Sequence, residues 1–583
     1  MSDQSEIQSI ASVAHPKKIS FSGGAGKYSR AQPIIRSCAF LEEVAVEFFK
    51  LFGSNVKAVS AIEDDMELEF FLIDRGLYNK RADLMLTGRT LVGAPSPKGQ
   101  LFGTGLMNDR VFKYMKDVID EERDADVCGA PAATYHNCGT HTPNQYKITF
   151  SIDHDLKLPE IMKKVAMRHN LACLLHEKPF AGINGNGRRI SWSLLDENDK
   201  NLFKVGDTPE ENLLFLTLIV SVIQAVHRHS GLLLAVTASA GNEERLGESG
   251  APSAIMSVSL GEQLTKIITA IEAGKTEKGK KRDIADLGVC PLPKFTSDAI
   301  DSSNTSPFAF TGDGFEFRMP GSSTDIPTVV TVINTIVADS IKTICDRIKK
   351  ELSKSKSDKD ADPQLSAAVL NVLSAVIKES KSVLFDGDGG DSIEWAKEAQ
   401  ARGLPKVAPA PEALKAFIAP KAVELFGRHK VFSEAELKDL YNARLDQYGK
   451  TVDIEIKTLT DIVNTQVLPA AYNYQADIAS GLEVLRVLAD DMTIEMTEGA
   501  LEDRKEMFER LTADIYYIRK NLKELAVMAD KARGMEIGER AAYLFKEIKP
   551  QMDHIRRHVD ALEEIMPDEA WPLPKYREML FIY

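Results

Sequence analysis

The hydrophobic period of this 583-residue chain changes once, and that change limits what it can fold into. Up to about Ile341, short runs alternate apolar and polar residues: MELEFFLID (Met66 to Asp74), KITFSID (Lys147 to Asp153) and GFEFRM (Gly314 to Met319). A period of two is the mark of a half-buried strand. Helical stretches such as PEIMKKVAMRH and ENLLFLTLIVSVIQAVHRH lie between them, so this part reads as a mixed α/β or α+β core. The charge-dense run KKELSKSKSDKDADPQ (Lys349 to Gln364) can bury no core and is expected to be a mobile linker. Beyond it the period lengthens. Leu511, Ile515, Ile518, Leu522 and Leu525 form one four-three stripe; Leu544, Ile548, Met552, Ile555, Val559 and Leu562 form another. Two such stripes predict an antiparallel helical hairpin, with Pro550 kinking or splitting the second helix. A stripe of this kind is packing rather than a cofactor box.

Composition narrows the function classes. A formal net charge of −14 argues against general binding of nucleic acid or anionic membrane. Cys38, Cys128, Cys138, Cys173, Cys290 and Cys345 include no close pair, which fits reduced thiols in a cytoplasmic setting better than a zinc cluster or disulfide framework. No apolar run is read as approaching the roughly 18 residues of a membrane span. The opening MSDQSEIQSIAS is polar and acidic, unlike a signal or transit peptide, and reads as a disordered tail.

Few residues suggest chemistry by pattern alone. Glu67 and Glu69 stand at i and i+2 and share a strand face; Glu316 and Arg318 do the same. Acids on an inward face need a cation or a base, so either a Mg²⁺ or Mn²⁺ site or a plain solvent-facing arrangement remains open. GINGNG has the glycines of a phosphate-approaching turn, but neither a Walker ending nor a dinucleotide fingerprint follows, and by itself it reads as a plain turn. FDGDGGD (Phe385 to Asp391) lacks the glutamate of a calcium loop and reads as a loop.

Four longer runs say more. EIMKKVAMRHNLACLLHEKPFAGINGNG, NTSPFAFTGDGFEFRMPGSS, YNKRADLMLTGRTLVGAPSPKGQ and the terminal WPLPKYREMLF together resemble type III glutamine synthetase, in order, from about Lys18 to Tyr583. The resemblance implies an α+β fold: a catalytic domain with a barrel-like antiparallel sheet and surrounding helices, then a helical C-terminal region with a long hairpin. The implied boundaries are a tail at 1–18, a catalytic-like domain at 19–348, the linker at 349–364, a helical extension at 365–475 and a C-terminal bundle at 476–583. Members of the family join glutamate and ammonia with ATP through a γ-glutamyl phosphate, using Mg²⁺ or Mn²⁺ ions.

Residue by residue, the resemblance is incomplete. It implies metal-ligand positions kept at Glu67, Glu69 and Glu316, a phosphate contact kept at Arg318, and substrate contacts kept at Asn184, Gly185 and Arg245. The metal-binding histidine position is Arg189, and two carboxylate positions fall at Thr140 and Lys147; anchored on His136 and Asn137 instead, the first falls at Cys138. A guanidinium cannot coordinate a metal. The general-base glutamate position is Gly250, with Glu248 two residues earlier, and two phosphate-binding arginine positions are Ser302 and Asn304. The family's N-terminal β-grasp domain, which completes a neighbour's active site, has no counterpart among the roughly 18 residues before the matching segment. The expectation is therefore a pseudoenzyme with no bound cofactor, serving as a homo-oligomeric or heteromeric subunit, with Arg189 and Lys147 pairing the acids in place of metal. The competing expectation is an active ATP-dependent carboxylate–amine ligase using Mg or Mn at a remodelled site.

Overall fold

The run Met66–Asp74 becomes an interior strand of a nine-stranded sheet. The computed structural model describes residues 31–54, 56, 59–62, 66–97, 108–124, 134–137, 144–150, 157–206, 208–248, 250–273, 306–354, 361–385, 393–491 and 495–581. The strands are β1 (Val59–Ile62), β2 (Met66–Asp74), β3 (Thr134–Asn137), β4 (Gln145–Phe150), β5 (Leu171–Leu174), β6 (Arg188–Asp196), β7 (Val258–Ser259), β8 (Phe308–Phe310) and β9 (Phe315–Phe317). Their order is β3-β4-β2-β6-β9-β8-β7, with β1 added on β6 and β5 on β2. Every pairing is antiparallel except β7 with β8. Leu68, Phe70 and Leu72 of β2 enter the main core; on the other face, Phe71 and Ile73 enter a smaller cluster with Leu84, Phe180 and Tyr576.

The helices that position the site are α1 (Ala31–Leu51), α2 (Ala82–Thr87), α3 (Leu158–Arg168), α4 (Pro209–Thr237), α5 (Ile326–Leu352), α6 (Glu434–Ile462), α7 (Leu468–Asp491), α8 (Glu495–Arg533) and α9 (Lys549–Ile565). The start of α4 is written in its sequence: Thr208 and Glu211 form a reciprocal capping box, and Pro209 occupies the first turn. Ser433 and Glu436 cap α6 in the same way. Helix α5 packs between α1 and α4.

Two expectations need correction. Glu211–Thr237 and Ile326–Leu352 are each long and apolar enough to cross a membrane by composition, although the sequence reading found no such run. In each, 83% of the apolar window is buried inside the protein, so both helices are core elements of this fold. Their scattered serines, threonines and charges break the unbroken apolar run but leave a high mean hydropathy. The charged stretch is also helical at its ends, since α5 runs to Leu352 and the next helix begins at Ala361; residues 355–360 lie outside the described residues, as does most of FDGDGGD.

In the helical half, both predicted stripes are buried, and α8 packs on both α7 and α9. Pro550 stands in the first turn of α9, directly after a π-helical turn at Leu544–Ile548. The proline has no N–H to donate back along the helix, and the wider turn accommodates that break without ending the apolar stripe.

The two halves are bolted together. Arg81 is wholly buried, pairing with Asp83 at 2.6 Å and donating to Val92 O and Pro574 O. Asp560 and Glu563 of α9 accept from the backbone N–H groups of Gly93 and Ala94. Tyr576 lies 2.5 Å from the Thr90 hydroxyl and stacks edge-on against Phe180. The C-terminal segment therefore covers the apolar end of the β2 face.

Candidate functional site

The polar end of that face is the candidate site. Cross-strand register sets Glu67 opposite Arg189, Glu69 opposite Lys147, and Ser191 opposite Glu316. One row across β4, β2, β6 and β9 therefore carries Lys147, both glutamates, Arg189 and Glu316 on the same face. Lys147 reaches diagonally, placing Nζ 2.6 Å from Glu67 Oε1; from the other side, Arg189 Nε stands 3.3 Å from Glu67 Oε2. All three side chains are about one-fifth exposed, so the group is shielded but not dry.

The other two acids take different partners. Glu69 Oε2 accepts the backbone N–H of Gly187 at 2.8 Å. Glu316 accepts from Nε of Arg318, which stands two residues on, just past β9. Among the described residues, the expected pairing of Arg189 and Lys147 with the acids is seen at Glu67. Neighbouring main chain and Arg318 hold the remaining two.

The glycine turn is shaped by Arg245. A Cβ on Gly187 would lie 2.0 Å from Arg245 Nη2, and one on Gly185 would lie 2.4 Å from Glu177 O and 2.9 Å from Arg245 Cγ. Only glycine lets the backbone pass this close. Arg245 itself is 3% exposed, and its guanidinium donates to Asn242 Oδ1 at 3.1 Å and to the carbonyls of Met319 and Pro320 at 3.3 Å. Burial lowers its pKa, opposed by the nearby Glu69 and Glu177 charges. Arg245 thus fastens the turn to the exit of β9. Arg188, next to the substituted position, donates to Ser322 O at 2.6 Å and is equally buried.

At the general-base position, Gly250 is exposed and has a left-handed φ of +77°. A Cβ there would lie 2.6 Å from the Asn184 side chain. The carboxylate two residues earlier, Glu248, is more than half exposed and stands 3.8 Å from Lys178 Nζ. Lys178 is itself 8% exposed, and burial lowers its pKa against the pull of Glu248 and Glu244. Thr140, Cys138, Ser302 and Asn304 lie outside the described residues.

Sequence reasoning missed Glu177 and Asn186. The Glu177 carboxylate lies between the backbones of Gly241 and Gly321 and accepts from the Ser323 hydroxyl. Asn186 donates to Leu174 O and His176 O and takes the amide of Gln145. Asn186 lies inside the quoted glycine motif and Glu177 five residues before it, and that position was the available signal. What they touch depends on strands far away in the chain.

Comparison with known proteins comes down on one side. A family model described as the glutamine synthetase catalytic domain matches residues 58–255, and one described as the glutamine synthetase C-terminal domain matches 368–486. A type-3 glutamine synthetase of Dictyostelium discoideum is 35% identical over 564 residues, covering 94% of this chain and 74% of that protein. A glutamine synthetase of Bacteroides fragilis is 34% identical over 578 residues, covering 97% and 76%. One from Butyrivibrio fibrisolvens is 34% identical over 564 residues, covering 94% and 76%.

Proposed function

This chain belongs to the type-3 glutamine synthetase family, and from that premise we propose that it is a member without ATP-dependent ligase activity. It keeps the fold as a binding or scaffolding subunit of a homo-oligomeric or heteromeric assembly in the cytoplasm. The observation that carries this reading is the bridge of Lys147 and Arg189 to Glu67.

A Mg²⁺ or Mn²⁺ ion needs several oxygen ligands and tolerates no fixed cation at their centre. Glu67 here carries two cations, while Glu69 and Glu316 have hydrogen-bond donors of their own. A divalent ion about 5 Å from one ammonium group is repelled by roughly 7 kcal/mol at an effective dielectric of about 20. The residues present therefore do not fit the metal that the family's chemistry requires. The missing carboxylate at Gly250 removes the proton acceptor as well, and its left-handed backbone above Asn184 leaves poor room for a replacement.

The deciding experiment is glutamate- and ammonia-dependent ADP release by the purified chain, with Mg²⁺ and Mn²⁺ supplied separately. The expected result is no release above a heat-killed control. Release that requires both glutamate and ammonia would overturn the reading in favour of a ligase with a remodelled metal site.

A further inference from the structure

Where the helical half grips α5, one buried carboxylate faces more cations than it can satisfy. Asp339 of α5 is 4% exposed. Its Oδ1 takes Arg428 Nη2 at 2.5 Å and lies 3.0 Å from His429 Nε2, at the end of helix Pro420–Arg428. The His429 ring is equally buried and stacks on Phe40 of α1, with centroids 3.9 Å apart. This contact pins residues 428–429 of the helical half to two helices of the catalytic half.

The other oxygen is left short. Asp339 Oδ2 stands 3.6 Å from Arg228 Nη1 and 3.9 Å from His229 Nε2, both beyond hydrogen-bond reach. Among the described residues neither Oδ2 nor His229 Nε2 has a hydrogen-bond partner, although the imidazole too is only 4% exposed. His229 stands at a break in α4, where φ is −127° and ψ is 21°.

Three cations already surround this ring. Arg228 adjoins it on α4, Arg428 comes from the facing helix, and Lys421 Nζ donates to the Arg228 carbonyl at 2.5 Å. His429 is the other titratable group at the carboxylate, whereas His227 turns to Ser382 and the Glu379 charge. A proton on His229 would set a fourth cation against the single negative charge of Asp339, where little water can reach it. Burial and then Lys421 hold the imidazole down at about 4, against the pull of Asp339. Burial opposes ionisation of Asp339 itself, yet His429 and Arg428 keep its carboxyl below the ordinary range.

We propose that the grip of Asp339 on Arg428 and His429 is an acid-sensitive latch between the halves, closed while His229 is neutral and opened when His229 takes up a proton. Between about 4 and the ordinary value of 6.5, an exposed histidine carries more protons than the closed latch allows. The open form therefore gains as pH falls through that window. The proposal does not depend on whether the chain is a ligase. Its reporters are the amides of His429 and Val431, bonded at the helix end to Leu425 O and Phe426 O.

The test is hydrogen exchange of the full chain over residues 425–432, corrected for the intrinsic effect of pH on the exchange rate. From about pH 7.5 to about pH 5, protection there is expected to fall at least roughly tenfold, the linkage limit being about thirtyfold. His229→Gln removes the titration and should leave protection level across that range. Lys421→Gln, at an exposed position, takes away one crowding cation; it should shrink the fall and raise the His229 titration, read by NMR of histidine-labelled protein. Protection that does not change with pH, an equal fall in His229→Gln, a fall unmoved by Lys421→Gln, or His229 titrating at or above 6.5 would overturn the proposal.

Discussion

At the scale of single residues, two substitutions change the character of the site more than the acids that survive. On the proposed reading Glu67, Glu69 and Glu316 are what is left of a metal centre, and Lys147 and Arg189 hold the first as an ion pair from both sides. Removing those cations should expose what they replaced. Lys147→Glu combined with Arg189→His is expected to tighten Mn²⁺ binding at least roughly tenfold, or ~1.4 kcal/mol, over the native chain, read by electron paramagnetic resonance of free Mn²⁺. Native protein that already binds Mn²⁺ as tightly as the double variant would refute the ion-pair account. The types of these residues were legible in the sequence because period-two spacing assigns a common face. The packing of Arg245 was not legible: only the fold shows its guanidinium donating to Asn242 and to the carbonyls after β9.

At the scale of elements, α9 holds the loop at 90–94 through two carboxylates, and their energetics depend on pH. Burial pushes Glu563 up to about 7, against the opposing Ala94 N–H and Arg81. The unfolded chain releases this proton near the ordinary glutamate value of about 4.3. Between that value and about 7 the native state therefore holds more protons than the unfolded state, and this group's contribution to stability falls as pH rises. Glu563→Gln keeps an acceptor for Ala94 and removes the titration. Its stability relative to the native chain should climb by an order of 2–3 kcal/mol from pH 4.5 to pH 8, then level off. A difference between the two denaturation curves that stays constant across that range would contradict the assignment. The stripes of α8 and α9 were readable from their period, and so was the break at Pro550. The π-helical turn that absorbs the break was not, because its form depends on what α9 packs against.

At the scale of the whole molecule, the charged stretch after α5 looks like a boundary between domains, but the contacts across it are those of one body. Arg89 of the catalytic half pairs with Glu455 of α6, Lys549 of α9 pairs with Glu243, and one apolar cluster takes residues from both halves. Breaking one member of such a buried pair typically costs ~3–5 kcal/mol, so separation would break several at once. A specific protease site placed at 355–360 should therefore yield two fragments that co-elute on gel filtration and part only in denaturant. Fragments that separate in native buffer would show the halves to be independent.

Spacing along the chain was enough to assign the strand faces, the helix stripes, the family and the residue at each family position. Packing settled which cations meet Glu67, how Arg245 sits against the glycine turn, and that two membrane-length helices are core. Those outcomes depend on which distant strand or helix a side chain is pressed against. Burial then makes each unpaired charge expensive enough to force the choice.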